Sequence, residues 1–288
     1  MQRVTVYIPT RNRSSLLRRA VESALAQSHD DIEIIVVDDA SEDDTPQVMR
    51  ELMAANNTAK TLSFIRLERP SGACAARNAA IEAATGRFIT GLDDDDYFLP
   101  DRVRRLLDAF EPNRHAFVFC GYIRETVRAG GKASRAAVRL TDQARFPSLL
   151  QRNNVGNQVL TLTERFRALG GFDVALPAWQ DYDMWIRLVR AYGEGQGIRG
   201  VTYVHTVDPG VPGISGSHER VSHAFEVFRS KHREYDDERL LSCLRLSKAY
   251  YGINALRSSD LLNILSLGRP RLVASSLYFY LKNKFQSY

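Results

Sequence analysis

The run Ile32-Glu-Ile-Ile-Val-Val37 constrains the fold more than any other part of this chain. An almost unbroken apolar strand must find a core on both of its faces, which is the situation of a strand inside a parallel sheet. The segments around it keep the same rhythm. Val4 to Ile8 reads as a strand stopped by Pro9, and Ser14 to Gln27 as a helix with Ser14 as N-cap. Thr45 to about Ala55 has helical spacing, and Leu62 to Leu67 is a third strand. Ala73 to Ala84 is a third helix, ended by Gly86, and strands follow at Phe88 to Leu92 and Ala116 to Cys120. This alternation predicts an α/β fold, a mostly parallel sheet flanked by helices. The second half is less regular. Val155 to Leu162 reads as a strand, Glu164 to Leu169 as a short helix ended by Gly170-Gly171, Tyr182 to Tyr192 as a helix and Gly200 to His205 as a strand. Pro209 to Ser217 has the composition of a mobile loop, and the remainder reads as helical, broken at Gly268-Arg-Pro270.

Four consecutive aspartates, Asp93 to Asp96, follow the fourth strand. Like charges in a row repel unless something positive sits among them, and carboxylates are the ligands that hard divalent cations prefer. Asp38-Asp39 follows the second strand, and Ser41-Glu-Asp-Asp44 stands before a helix as its capping segment. Parallel strands bring their carboxyl ends to one edge, where open α/β sheets bind ligands. Arg11, Arg13 and Arg77 come from loops on that edge. Carboxylates for a metal beside guanidinium groups for phosphate suit a nucleoside diphosphate. Taken alone, the acidic run also reads as a solvated turn, and Arg77 as a helix-surface residue.

Composition narrows the alternatives. With 288 residues, 44% of them apolar, the chain is long enough for one large domain with a proper core. Cys74, Cys120 and Cys243 are scattered, which argues against a disulfide framework or a zinc site and suits a reducing compartment. No secretory leader is read at the start, and no stretch reaches the roughly 20 apolar residues of a membrane span. The net charge of +5 is uneven. From Leu240 onward seven basic residues face one acidic residue, Asp260, so the tail carries the positive charge. That tail is also aromatic. Two readings of Leu261 to Phe285 stay open: a helix lying in an anionic membrane interface, or a lid packed on the body with a solvated basic face. No stacking or groove-reading motif points to nucleic acid.

Four ordered segments, Val4 to Arg13, Val36 to Thr45, Gly72 to Asn78 and Gly86 to Asp96, closely resemble the family 2 glycosyltransferases with the GT-A fold. The resemblance covers residues 3–110 and resumes at Gly170-Gly-Phe-Asp173 and Trp179 to Leu188. It implies a Rossmann-like GT-A domain with a nucleotide-sugar half over residues 1–110, an acceptor half over 111–235 and a helical basic extension over 236–288. It further implies that Pro9, Thr10, Arg11 and Arg13 line the nucleotide site, that Asp39 meets a uracil-type base and that Arg77 lies near base or diphosphate. The tetrad matches the family's Asp-x-Asp metal motif. Aligned on Leu92, Asp93 and Asp95 are the pair, with Asp95 as direct ligand of Mn2+ or Mg2+, Asp93 at both metal and donor, Asp94 at ribose or diphosphate and Asp96 behind them. Gln180-Asp181 matches the Glu-Asp pair whose second residue is the catalytic base. The glutamine departs from the pattern, which leaves the base in place. Asp183 is a rival for that role, read as a solvated helix residue, and Asp173 is read as a turn residue. His205 is either a ligand of metal or diphosphate, or a satisfied structural histidine. His29, His115, His218, His223 and His232 receive no role.

The expected activity is a metal-dependent inverting transfer from a UDP-hexose, UDP-N-acetylhexosamine or dTDP-rhamnose to a hydroxyl of a glycan or lipid-linked glycan. The setting is cell-envelope polysaccharide or lipopolysaccharide assembly in the cytoplasm, at the inner face of its membrane if the tail anchors it. A nucleotidyltransferase or a dinucleotide oxidoreductase would want a glycine-rich phosphate loop where Pro9-Thr-Arg-Asn-Arg13 stands. The competing class is a non-catalytic nucleotide-sugar or glycan-binding module on the same fold.

Overall fold

The computed structural model describes residues 2–127, 133–208, 218–249, 253, 256–268, 272–274, 277, 278 and 281. Strands β1 (Val4–Thr10), β2 (Ile32–Asp38), β3 (Thr61–Arg66) and β4 (Phe88–Gly91) pair in parallel in the order β3-β2-β1-β4. The sheet continues through β9 (Leu160–Leu162), β6 (Val118–Val127) and β10 (Gly195–Val207), with β9 antiparallel to both neighbours and β6 parallel to β10. It ends at the short β5 (Tyr97–Phe98), while β7 (Ala133–Val138) and β8 (Gln143–Ala144) pair with β6 and β10.

The apolar run of β2 is divided between two cores. Ile32, Ile34 and Val36 pack into a cluster with Val4, Val6 and Ile8 of β1 and with helices α1 (Ser14–Leu25), α2 (Thr45–Ala55) and α4 (Arg102–Ala109). Ile35 and Val37 point the other way with Tyr7, against α3 (Ala73–Ala83), α6 (Thr163–Ala168), α7 (Gln180–Tyr192) and α8 (His218–Lys231). Alternation along the strand thus fills both layers. Each fully buried branched side chain contributes about 1.5–3 kcal/mol of transfer free energy. A single helical turn, α5 (Ser148–Gln151), covers the second core. Helices α9 (Glu238–Ala249) and α10 (Ser258–Ser266) form a third, smaller core.

Several boundaries depart from the sequence reading. Ser14 is the first helical residue rather than the cap, and its N–H is taken by the Asp43 carboxylate at 3.0 Å. The segment before α2 caps it differently from expectation. Asp44 makes no side-chain cap, while Asp43 accepts from the Thr45 N–H and hydroxyl. Gly86 does not end α3, which closes at the extended Ala84. A Cβ at Gly86 would meet Thr5 Oγ1 at 2.6 Å, so the glycine serves the close approach to β1. Residues 155–159 are irregular rather than strand. The Asn153 side chain accepts from the N–H groups of Val155 and Gly156, and the Gly156 carbonyl accepts from Trp185 Nε1. Those side-chain partners replace ladder partners and free Asn157 and Gln158 to face the sheet edge. The proposed loop at 209–217 and the break at Arg269 and Pro270 lie outside the described residues, as does much of the tail, including Phe279, Tyr280 and Phe285.

Candidate functional site

The carboxyl ends of β1, β2 and β4 and the start of α7 open into one cleft of about 910 Å3. Pro9, Thr10, Arg11, Arg13, Asp39, Arg77, all four aspartates of the tetrad, Gln180, Asp181 and His205 line it, so every residue singled out for binding or catalysis reaches the same space.

The loop after β1 is tied to the tetrad. Thr10 Oγ1 donates to Asp94 at 2.7 Å, and Arg13 bridges Asp94 at 3.1 Å and Asp95 at 2.7 Å. Asp39 accepts from the backbone N–H groups of Ser71 and Gly72 at 2.6 and 2.9 Å, so this carboxylate shapes the entry to α3. Each of its oxygens keeps a lone pair for a further donor. Arg77 is partly buried against the Phe172 ring and paired with Asp93 at 3.0 Å. Burial opposes its charge, yet Asp93 and nearby groups hold its pKa above the usual value.

The four aspartates are not equivalent. Asp95 is the most open, at 31% exposure, and Asp93 follows at 22%. Asp94 is buried, and burial pushes its pKa up to about 6 against the opposing pull of Arg13. Asp95 is raised too, by burial and then by the charge of Asp93. Asp96 is fully buried, and accepts from Tyr203 Oη at 2.5 Å and the Thr206 N–H at 2.8 Å. It fastens the end of β10 to the tetrad, behind the other three.

Asp181 stands in the first turn of α7, where the helix N-terminus favours negative charge. Asn153 donates to it at 3.2 Å. Its surroundings raise the carboxyl to about 6, chiefly through burial, with the Tyr182 N–H and Arg77 opposing and Asp93 adding repulsion. Trp179, immediately before α7, holds a left-handed backbone at φ 62°, a conformation rare for a bulky side chain and often found where function fixes the chain.

Asp183 is not a solvated helix residue. It is fully buried and accepts from Arg187 at 2.8 Å and from Lys231 and His232 at 3.0 Å each. Burial would raise it, and the three cationic or donor groups more than reverse that, leaving it below the usual range. His232, given no role from sequence, is therefore a buried anchor of α7. Asp173 is a turn residue as expected, accepting from the Ala175 N–H, and it also pairs with Lys231 at 2.6 Å.

Sequence reasoning missed Gln158, which takes the Tyr7 hydroxyl at 3.1 Å and donates to Asp93 at 3.2 Å. Gly91 makes room for it, since a Cβ there would lie 2.1 Å from Gln158 Oε1 and 2.4 Å from the Tyr7 ring. Arg102 was also missed. It is fully buried, stacked near Phe98 and Tyr203, and donates to the Gln158 carbonyl at 3.4 Å. Neither signal was local in sequence, because each depends on which strands become neighbours.

A divalent cation fits this chemistry in part. Asp93, Asp95 and His205 face one cleft, and the two carboxylates act electrostatically on the imidazole, whose pKa burial nevertheless lowers. Among the described residues no three carboxylate, imidazole or thiolate groups converge as a ready cage. Asp93 is engaged through Oδ1 by Arg77 and Gln158 and Asp95 through Oδ2 by Arg13, and Asp95 is the more open of the two. Such a site would supply one or two carboxylates and take the remaining ligands from phosphate oxygens and water, as small hard cations commonly do.

A doubly covered, mostly parallel sheet with an acidic and basic cleft at its carboxyl edge is the architecture of the nucleotide-sugar transferases, and comparison with known proteins defines the family. The chain belongs to glycosyl transferase family 2, whose family model matches residues 5–169. It is 34% identical over 285 residues to a protein described as a colanic acid biosynthesis glycosyl transferase, WcaA of Escherichia coli K12, covering 95% of this chain and 97% of that one. Its fold is similar to that of a mannosyltransferase from Pyrobaculum calidifontis in complex with GDP-Man and Mn2+, with a TM-score of 0.62 and 18% identity over 99% of this chain and 88% of that one. It is also similar to S. aureus TarS in complex with UDP-GlcNAc, with a TM-score of 0.61 and 16% identity over 97% and 73% of the two chains. The chain is thus a glycosyltransferase with relatives in polysaccharide biosynthesis.

Proposed function

We propose that the cleft binds a nucleoside-diphosphate sugar and transfers it, with inversion, to a hydroxyl of a cell-envelope glycan acceptor. The observation that carries this reading is the pairing of Asp181, a carboxylate poised near pH 6, with the tetrad and its arginines in one cleft. A carboxylate of that basicity is largely ionised at neutral pH and still accepts a proton readily. Asp181 takes the proton of the acceptor hydroxyl as that oxygen attacks the anomeric carbon. The bond to the diphosphate oxygen breaks on the opposite face, so a single displacement inverts the centre.

Arg13 and Arg77 carry the charge complement of the diphosphate, and Thr10 and Asp94 hold the loop that cradles it. Asp39 offers its remaining lone pairs to a donor on the base. Asp95, with Asp93 and His205 beside it, would hold Mn2+ or Mg2+, which when bound supplies charge neutralisation for the leaving diphosphate. UDP-hexoses, UDP-N-acetylhexosamines and dTDP-rhamnose are the donor candidates. The acceptor is a glycan or lipid-linked glycan.

Calorimetric titration of UDP, dTDP and GDP, with and without Mn2+, tests the donor site. The expected result is metal-enhanced binding of one nucleotide that Asp95→Ala weakens tenfold or more, since loss of even an outer-shell partner of a metal ligand costs about 10–100-fold. Equal binding by native protein and variant would remove Asp95 from the metal site. Absence of binding for all three would overturn the donor reading.

A further inference from the structure

A surface helix ordinarily sets an apolar stripe against the core and polar side chains against water. Helix α10 does not. On one side Ile264 is buried among Cys243, Leu246, Ala249 and Leu256, and Asp260 is buried beside them. On the opposite side Leu262 and Leu265, three apart and therefore adjacent on the helix surface, are 69% and 56% exposed. Leu277, Tyr278 and Leu281 are exposed as well. Large exposed apolar side chains elsewhere among the described residues are isolated: Met53, Phe146 and Val174.

The charged residues of this segment are nearly all of one sign. Asp260 is the only acidic residue from Leu240 to the end. It is sealed inside, paired with Arg245 at 2.7 Å and accepting from Ser242 and from the Arg257 N–H. Among the described residues of the segment no acidic side chain therefore faces solvent. Along the sequence Arg257, Arg269, Arg271, Lys282 and Lys284 alternate with the leucines and aromatics of this segment. Leucine and tyrosine flanked by cations and free of acids is the chemistry that recognises an anionic bilayer interface, where apolar side chains enter the acyl boundary and cations meet the headgroups.

We propose that the outer face of α10, with Leu277, Tyr278 and Leu281, is a docking surface for an anionic lipid membrane. The third core holds α10 on α9 from behind, so the leucines that would enter the membrane do no packing work in the body of the protein. The inference is independent of the donor chemistry, and neither stands or falls with the other.

Flotation or co-sedimentation of the full chain with vesicles tests it. Native protein is expected to bind phosphatidylcholine vesicles containing phosphatidylglycerol, to bind far less to phosphatidylcholine alone, and to be released by high salt. The double variant Leu262→Glu/Leu265→Glu should lose about tenfold or more in vesicle affinity, from lost apolar transfer and added repulsion, while its Tm stays at the native value because both positions are exposed. Failure of the native protein to bind anionic vesicles would overturn the proposal, and so would equal binding by the double variant. Light scattering supplies the third arm. A native dimer that the double variant converts to monomer would assign the face to a second copy of this chain instead.

Discussion

The two acidic clusters of the cleft are built alike and stabilised differently. Each ends in an aspartate that never reaches solvent, Asp96 as the last of the tetrad and Asp183 after Asp181, while the earlier members face the cleft. Asp96 is held by neutral donors, a tyrosine hydroxyl and a backbone N–H, and its carboxyl is raised well above the usual range by burial and then by the charges of Asp93 and Asp95. Asp183 is held by Arg187, Lys231 and His232 and is pushed below that range. One anchor is tuned toward neutrality in an already crowded acidic loop. The other is a buried anion paid for by cations from two helices. Adjacency in sequence therefore says little about which aspartate does chemistry.

The largest effect is expected at Asp181. Asp181→Asn should lower turnover by roughly 10²–10⁴, the usual worth of a general base, with donor binding unchanged. The native enzyme should also gain activity as pH rises through about 6, where Asp181 loses its proton, and the variant should lose that part of the limb, any remainder belonging to Asp94, which is raised to the same range. A flat pH profile in the native enzyme would break the assignment.

Next comes Asp183. Its replacement by Ala strands Arg187, Lys231 and His232 around a buried site and should cost about 3–5 kcal/mol in urea unfolding. The folded pKa of Asp183 is depressed, so its contribution is present above the unfolded carboxylate value near ~3.9 and is lost as pH falls through the folded value. Acid unfolding of the variant should therefore be shallower in that range than that of the native protein.

The smallest effect belongs to Asp96→Asn. It leaves no cation stranded and at most one donor poorly matched, so a loss of about 1 kcal/mol is expected. Equal costs at 96 and 183, measured by the same unfolding curves, would erase the distinction between a neutral and an ionic anchor.

The regular half of the fold was legible because its signals are local. The run at Ile32 to Val37 fills two cores, as both-face burial requires, and α2 spans Thr45–Ala55 as its spacing predicts. The site was legible to the extent that β–α loops share an edge, which brought Arg13, Arg77, Asp39 and the tetrad together. What failed was long-range. Asp183 looked like a surface carboxylate because the lysine and histidine that bury it lie about fifty residues away. Gln158 carried no sign of its bond to Asp93, since that bond exists only because residues 155–159 leave the ladder.

Gly91 bears on how such a cleft tolerates change. It carries no functional group and sits inside a strand, yet any side chain there must displace the Tyr7 ring or the Gln158 amide that steadies Asp93. In a saturation scan read out by sugar transfer, position 91 should be as intolerant as the aspartates themselves. Relief should come only from paired changes that shrink residue 7 or 158. An inert residue can thus mark the edge of an active site as sharply as a reactive one.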